Sequence, residues 1–283
     1  RLKEPQPFSW SGGWQRGSGT TLLKTTQATI GSWSVNLAGG RSLVNVKTMS
    51  AEMEAIYLRE NSTITNLAGG IWYCRAFSNR NQHYRQAVTP ANDKGKIFNY
   101  GTWQVELVSP SNNVYMEVPF ANGGAVRIDQ NNFYLHEYYG HHESGSTGEW
   151  WINAGRFLRV DNQLLTLHAS SKIYGDGELQ VYNSNARLFA CAGSAIGVGS
   201  LRVYSGIMSF SGTVSVAQTT ISGGALEIDA PGDDPSATTP CLGAVVLTAG
   251  RLSVIAAKSV TASSVELTNA YIDGGASTGL RAA

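Results

Sequence analysis

Paired carboxylates are the residues of this chain best suited to acid–base chemistry on a polysaccharide. A carbohydrate-cleaving site needs two carboxyl groups, or a carboxyl group and a base, on one face of adjacent strands. Asp176 and Glu178 stand two residues apart and would share one face of a strand. The other candidates are Asp129 and Asp161 after strands, and Asp233 and Asp234 in a loop. Because the sequence does not show which positions align across strands, we favour solvated carboxylates over an active site.

A second group of candidate residues lies between positions 134 and 151. The run from His136 to Glu143 contains three histidines and two glutamates, which is the composition of a metal site. Its first two histidines, His136 and His141, are five residues apart, whereas the helical HExxH motif of zinc enzymes places them four apart. We therefore favour a solvated loop and expect no metal ion, cofactor or catalytic residue.

The same segment is rich in aromatic residues, which stack on sugar rings or anchor protein partners when they are exposed. The candidate ligand or partner surface consists of Tyr138, Tyr139, His141, His142, Trp150 and Trp151. We expect Tyr138 and Tyr139 to be exposed. Core packing is the alternative for Trp150 and Trp151.

The remaining histidines and cysteines belong to no recognisable catalytic motif. His83 and His168 have no identifiable partners, so nucleophilic catalysis has no support. The three cysteines, Cys74, Cys191 and Cys241, form no CxxC pair. Cys74 and Cys191 lie in apolar runs, so we expect them to be buried.

Composition excludes several partners and favours an all-β protein. The chain has 283 residues and a net charge of +1, with single, scattered Lys and Arg residues, so we expect no nucleic-acid or anionic-membrane partner. No run of 18 apolar residues predicts a membrane span. Only 14% of residues are charged and 32 are Gly, which is typical of strands joined by many turns. Asn61 begins an N-glycosylation acceptor triplet, which is compatible with a secreted protein.

These residues must be positioned by a repeat that runs along most of the chain. The phrase Gly-x-apolar-x-apolar recurs, and its reference glycines stand at positions 40, 70, 101, 124, 155, 177, 199, 224 and 250, in steps of 22 to 31 residues. Repeats of this length form a fold by stacking one coil on the next. The alternation within each copy predicts short strands with apolar residues inside and polar residues outside.

Glycine and asparagine mark the predicted corners of the coils. Gly suits a tight corner or a place without room for a Cβ atom, and Asn amides at equivalent corners can bond to one another in a ladder. An ordinary turn-forming role is the alternative for the asparagines. The structural corner residues are Asn66, Gly70, Asn99, Gly101, Asn122, Gly124, Asn153, Gly155, Gly177, Gly224 and Gly250.

The repeat predicts one domain over residues 1–283, which we expect to be a piece of a longer chain. The stretch 49–60 has helical features, but its alternation and the lack of a helix C-cap favour strand. Three polar or irregular segments interrupt the repeat and are expected to loop out of the stack. They lie near 78–96, 134–151 and 230–240.

The repeat resembles the right-handed parallel β-helix repeats of large secreted and surface proteins, including autotransporter passengers and pectate-lyase-like solenoids. The resemblance rests on Trp10–Trp14, Gly17–Gly19, Leu43–Asn45, Phe98–Trp103, Phe120–Gly124 and Ile221–Ile228. It implies an all-β parallel solenoid of about 9 to 11 coils of 22 to 31 residues with loop insertions. The motifs are degenerate, so they indicate an architecture and not an activity.

A regular repeat without a convergent catalytic constellation favours a non-catalytic structural or adhesive module of an extracellular surface protein or filament. In this hypothesis the solenoid is a stiff rod that presents loops. The alternative is a carbohydrate-active β-helix enzyme or a glycan-binding module. Because no capping helix is visible at either end, we expect partners to include other copies or neighbouring coils of the same protein, together with glycans or surface proteins.

Overall fold

A computed structural model describes most of the chain as stacked parallel strands. The described residues are 6–31, 33–75, 80–86, 95–107, 109–136, 143–229, 239–255, 260–274 and 280–282. The fold is an all-β parallel solenoid of about 11 turns, which confirms the fold class expected from the repeat. No α-helix occurs in the described ranges. The chain forms two compact units, Arg1–His142 and Glu143–Ala283.

Most turns contribute three short strands. In the first unit these are β1 (Phe8–Trp10), β2 (Gly13–Gln15), β3 (Thr20–Leu23), β4 (Ala28–Ile30), β5 (Ser34–Leu37), β6 (Ser42–Asn45), β7 (Thr48–Ala51), β8 (Ala55–Leu58), β9 (Thr63–Asn66), β10 (Ile71–Cys74), β11 (Gln82–Gln86), β12 (Lys96–Asn99), β13 (Thr102–Val105), β14 (Asn113–Glu117), β15 (Phe120–Asn122), β16 (Ala125–Ile128) and β17 (Asn132–His136).

The second unit continues the numbering. Its strands are β18 (Glu143–Ser146), β19 (Glu149–Ile152), β20 (Phe157–Asp161), β21 (Leu164–Leu167), β22 (Lys172–Val181), β23 (Arg187–Ala190), β24 (Ala195–Val203), β25 (Ile207–Phe210), β26 (Thr213–Val214), β27 (Gln218–Ile221), β28 (Ala225–Ile228), β29 (Ala244–Leu247), β30 (Gly250–Val254), β31 (Val260–Ala262), β32 (Ser264–Leu267), β33 (Ala270–Gly274) and β34 (Leu280–Ala282).

Strands at equivalent places in successive turns pair in parallel and form three ladders. In the first unit the first ladder is β1-β4-β7-β10-β13-β16, the second is β2-β5-β8-β11-β14-β17, and the third is β3-β6-β9-β12-β15. In the second unit the first ladder runs through β19, β22, β24 and β26, and the second through β20, β22, β24, β27, β29 and β32. The third is β18-β21-β23-β25-β28-β30-β33.

Alternation along each strand builds the core. In β5, Val35 and Leu37 are buried while Ser34 and Asn36 are half-buried. The same pattern repeats in β6, β7, β9 and β10. Because successive side chains of a strand point to opposite faces, every second column of stacked side chains faces the interior. The strand interpretation of residues 49–60 is confirmed, since β7 and β8 occupy most of that stretch.

Aromatic residues in the core of the first unit stack in register. Trp72 and Trp103 lie one turn apart with ring centroids 4.9 Å apart and planes 5° from parallel. The buried Tyr84 hydroxyl accepts a hydrogen bond from Trp72 Nε1 at 2.9 Å and lies 3.4 Å from Cys74 Sγ. Burial raises the pKa of Cys74 to about 12, so this thiol stays protonated and unreactive at neutral pH. Cys191, also expected to be buried, is half-exposed.

Two of the segments expected to loop out contain strands of the stack. Within 78–96, β11 contributes Gln82 and Tyr84 to the core, because their side chains bond to Ala51 O and to Trp72 Nε1. Within 134–151, β17, β18 and β19 continue the coils. Residues 76–79, 87–94, 137–142 and 230–238 lie outside the described part of the chain, and most of the 230–240 expectation falls there.

Where strands of the third ladder end in the first unit, buried asparagines form a hydrogen-bonded ladder of their own, called here the asparagine ladder. Four successive strands end on an asparagine at the same register position: Asn45, Asn66, Asn99 and Asn122. Each Nδ2 group of the first three donates to the Oδ1 atom of the next asparagine at 2.8 Å. Each of these Nδ2 groups also lies 3.0 Å from the carbonyl oxygen of the first residue in the strand that follows the next asparagine of the ladder. All four side chains are buried, so the ladder supplies the partners that buried amides require.

Glycines follow the last three of these asparagines, because backbone atoms of neighbouring turns meet there. A Cβ atom on Gly101 would lie 2.2 Å from Gly70 O, and one on Gly124 would lie 2.1 Å from Gly101 O. Both distances are shorter than any van der Waals contact, so no other residue fits without moving the backbone. The predicted corner glycines with the same lack of room also include Gly70 and Gly177, and those with positive φ are Gly155, Gly224 and Gly250.

Breaking the asparagine ladder at its middle is expected to destabilise the first unit. Asn99→Ala removes the acceptor of Asn66 Nδ2 and the donor to Asn122 Oδ1, and leaving two buried amides short of a partner costs about 2–4 kcal/mol of unfolding free energy. Asn113→Ala is the control, because that half-buried Oδ1 accepts one bond, from Asn132 at 2.9 Å, and its loss costs about 1 kcal/mol or less. Denaturant unfolding measures both. Equal losses would contradict the role of the ladder.

Candidate functional site on the outer sheet faces

The residues predicted to form a ligand surface fall in different places. Tyr138, Tyr139, His141 and His142 lie outside the described residues. Trp150 is fully buried and donates from Nε1 to Ser146 Oγ at 2.9 Å. Its neighbour Trp151 is half-buried on the outer face of β19. The two tryptophans therefore point to opposite sides of the sheet, as successive strand residues must.

Asn153 does not belong to the asparagine ladder. It follows β19, which is a strand of the first ladder, whereas the ladder asparagines end strands of the third. Its Oδ1 accepts a hydrogen bond from Trp151 Nε1 at 3.0 Å. Asn153 therefore stabilises the orientation of an outer-face tryptophan, at a corner different from that of the asparagine ladder. Asn61 lies in an exposed turn with φ of 60°, and its glycosylation stays a prediction.

The carboxylates singled out in the sequence are not brought together. β22 turns a corner, since its first half pairs with β19 and its second half with β20. Asp176 is exposed at this corner, while Glu178 lies on the second ladder, where its carboxylate meets Ser200 Oγ at 2.9 Å and Arg202 Nη2 at 3.4 Å. The two residues do not share one flat strand face. Asp161 ends β20, and the Asp233–Asp234 pair lies outside the described residues.

The densest group of titratable side chains lies on the outer face of the second ladder in the first unit. We call it the outer cluster: His83 and Arg85 of β11, Tyr115 and Glu117 of β14, and Tyr134 of β17. His83 stacks on Tyr115 with centroids 4.8 Å apart, and Tyr115 stacks on Tyr134 at 4.5 Å. The stacked rings lie on successive strands in direct register.

Glu117 links the charged members of the outer cluster. Its Oε1 lies 2.6 Å from His83 Nδ1, and Arg85 Nε lies 3.1 Å from its Oε2. At 2.6 Å from a carboxylate, Nδ1 must carry the proton and donate it. Burial alone would raise the pKa of Glu117, but the hydrogen bonds and charges of His83 and Arg85 outweigh burial and lower it. The carboxylate is therefore ionised and held between two donors.

The outer cluster resembles an oriented histidine of an active site in one respect only. A carboxylate that fixes the tautomer of a histidine is a common element of acid–base catalysis. Here, however, the rings of His83 and Tyr115 lie face to face with planes 9° from parallel, so stacking on the next turn accounts for the position of the histidine. The geometry therefore favours a structural role, in which these side chains hold successive turns together.

A pair of carboxylates occupies the outer face of the first ladder in the first unit. Gln104 Nε2 donates to Glu106 and, at 3.1 Å, to Asp129 Oδ2. Arg75 lies 3.0 Å from Glu106, and Arg127 lies 3.6 Å from Asp129. Burial raises the pKa of Asp129, the charge of Glu106 raises it further, and Arg127 offsets only part of this. A carboxyl group with a raised pKa beside a second carboxyl group is typical of acid–base pairs, and also of structural ion networks.

Sequence reasoning missed both groups. His83 lies 34 residues before Glu117, and Glu106 lies 23 residues, or one turn, before Asp129, so only the register of the ladders brings them together. Among the residues that the structure describes, no group of three His, Cys, Asp or Glu side chains is placed to hold a metal ion. No helix in the described ranges has the length and apolar character needed to cross a membrane.

Comparison with protein-family models, with curated proteins and with solved structures finds no match to this chain. The parallel solenoid is common ground with the β-helix proteins that the repeat resembles. Nothing beyond that resemblance links the chain to autotransporter passengers or to pectate lyases.

Glu117 is expected to make stability depend on pH. Because its pKa is lowered in the fold, its stabilising contribution is present above the ordinary glutamate pKa and is lost as the pH falls through the folded value. At pH 7, Glu117→Gln is expected to lower the unfolding free energy by about 1–2 kcal/mol through the loss of charge-assisted hydrogen bonds to His83 and Arg85. Denaturant unfolding of wild type and variant between pH 7 and pH 3 measures the difference.

Glu54→Gln is the matched control for that comparison. Glu54 pairs with Arg80 at 2.6 Å, but both side chains are more than a third exposed, so its replacement should change stability by about 0.5 kcal/mol or less. A Glu117→Gln difference that stays constant down to pH 3 would contradict the lowered pKa. His136 meets Tyr115 edge-on with ring centroids 6.2 Å apart. It is not substituted, so this contact of the outer cluster is the same in all variants.

Proposed function

We propose that the chain is a non-catalytic structural and adhesive module of an extracellular surface protein or filament. In this role the stacked turns form a stiff support whose outer faces and loops are available for contact. The support for the proposal is the use made of chemistry-bearing side chains. Asparagines, histidine, tyrosines and ion pairs are engaged with the equivalent residues of the next turn.

The single observation that carries the proposal is the buried asparagine ladder. Buried amides are retained at four successive corners, where they satisfy one another and the backbone. Such ladders add stability to a stack of turns. Their amides are bonded to one another and are not available to a substrate. A protein selected for catalysis needs only a few positioned groups, whereas a support benefits from the same contact in every turn.

Further turns of the same kind are the partners favoured by the turn that contains β32 and β33. Val265, Leu267 and Ile272 are 38%, 49% and 36% exposed, although the residues beside them in the preceding turn, Val245, Leu247 and Leu252, are fully buried. An apolar inner face beside open strand edges favours the addition of another strand. We propose that this face contacts a coil of another copy or of neighbouring sequence.

A carbohydrate-active enzyme is the second candidate, and one observation favours it. Asp129, with its raised pKa, lies beside the carboxyl group of Glu106 on an outer face, as a general acid lies beside its partner carboxylate. The two arginines on either side argue for a structural network instead. We therefore rank this function below the structural module.

Two measurements on one preparation test the proposed function. Incubation with pectin, alginate, cellulose and chitin is expected to release no new sugar ends. Light scattering is expected to show an average mass that rises with protein concentration, because the open apolar face buries surface on assembly. Leu267→Lys should suppress the rise. Leu22→Lys should not, since Leu22 is similarly exposed, at 44%, but faces outward from β3.

Each half of the proposal has its own contradicting result. Polysaccharide cleavage that is abolished by Asp129→Asn, with the fold intact, would replace the structural role by the enzymatic one. A constant monomer mass at all concentrations would exclude assembly between copies through the turn that contains β32 and β33.

A further inference from the structure

The outer face of the first ladder in the second unit contains a trough of about 410 Å³. Lys172 and Tyr174 of β22 border one side, and Thr239 and Cys241 border the other. Between them lie Ala195 and Gly197 of β24, followed by Thr213 and Ser215. The volume falls in the range of small-molecule sites, which is roughly 300–1,000 Å³.

The trough exists because side chains become small along two adjacent columns of the ladder. In one column Trp151 is followed in register by Tyr174 and then by Gly197. In the other, Glu149 is followed by Lys172 and then by Ala195. Large side chains therefore give way to small ones in a single step between β22 and β24.

Gly197 is not required by the fold. A Cβ atom added to it would meet only Ser215 O, at 3.9 Å, and its φ is not in the left-handed region. Gly199 in the same strand is different, because its Cβ would lie 2.3 Å from Asp176 O. Glycine weakens a strand interior, and where sterics do not demand it, it often marks the close approach of a ligand.

The border of the trough carries an aromatic ring of the kind on which sugars pack. Tyr174 is half-buried, its hydroxyl donates to Glu149 Oε2 at 3.0 Å, and its ring meets Trp151 at 4.9 Å and 77°. These contacts hold the ring in one orientation beside the trough. Lys172 lies 3.6 Å from Glu149, so the charges at this border are balanced.

We propose that this trough binds a neutral oligosaccharide. The apolar face of a pyranose ring would pack beside Tyr174 in the space above Gly197, as sugars pack on aromatic residues. The hydroxyl groups of Thr213, Ser215 and Thr239 would hydrogen-bond to the hydroxyls of the sugar. Saccharide binding would add a specific activity to the structural module, and a module without it would still serve as a support.

The first experiment uses a substitution that fills the trough. Cellotetraose and chitotetraose are titrated into the purified chain and followed by saturation-transfer NMR, with tetragalacturonate as the charged comparison. We expect at least one neutral tetrasaccharide to bind and Gly197→Thr to weaken it at least tenfold. The variant should melt no lower than wild type, because threonine suits a strand and meets no close neighbour.

Gly145→Thr is the control, since Gly145 is also a glycine inside a strand, half-buried where Gly197 is exposed, and the nearest neighbour to an added Cβ is a side chain at 3.4 Å. It lies on the third ladder and should leave binding unchanged. Binding of neither neutral tetrasaccharide, binding of tetragalacturonate alone, or full binding by Gly197→Thr would each overturn the proposal.

A second measurement needs no substitution. Cys241 lines the trough, whereas Cys191, which is also half-exposed, does not. A bound saccharide is expected to slow alkylation of Cys241 by iodoacetamide at least fivefold and to leave Cys191 unaffected, as measured by mass spectrometry of the digested protein. Equal rates at Cys241 with and without saturating sugar would overturn the site.

Discussion

The parallel register between successive turns is the constraint on which the whole structure depends. Each strand bonds to its counterpart one turn away, so a residue lies above the equivalent residue of the next turn. Any favourable contact between like side chains is then repeated along the stack. The asparagine ladder, the stacked Trp72 and Trp103, and the rings of His83, Tyr115 and Tyr134 all result from this arrangement.

The same constraint explains where variation is tolerated. The inner columns must stay apolar or satisfy their own polar atoms, because they have no access to water. The outer columns are free to carry ion pairs, rings or nothing at all, as Gly197 shows. Function in such a fold is expected on the outer faces and in the connections between strands, and the proposed saccharide site lies on such an outer face.

The sequence predicted the fold because the repeat and its alternation report directly on burial. It did not predict the sites, because connections of unequal length hide the register. Asn153 has the same spacing to its glycine as Asn99 and Asn122, yet it follows a strand of the first ladder, whereas those two residues end strands of the third. Asn45 precedes no corner glycine within four residues, yet it joins the amide ladder. His83 lies in a segment that looked like an insertion, and its bond to Glu117 depends on pairing between β11 and β14.

Hydrogen exchange at the asparagine side chains tests the stacked register most directly. The Nδ2 protons of Asn66 and Asn99, assigned by NMR, are expected to exchange about 10³-fold or more slowly than those of Asn185, which lies in an exposed turn. Slow exchange at both residues, lost together on unfolding, is the result that in-register turns predict. Exchange as fast as that of Asn185 would show that the corners do not stack, and the account of the fold would be wrong.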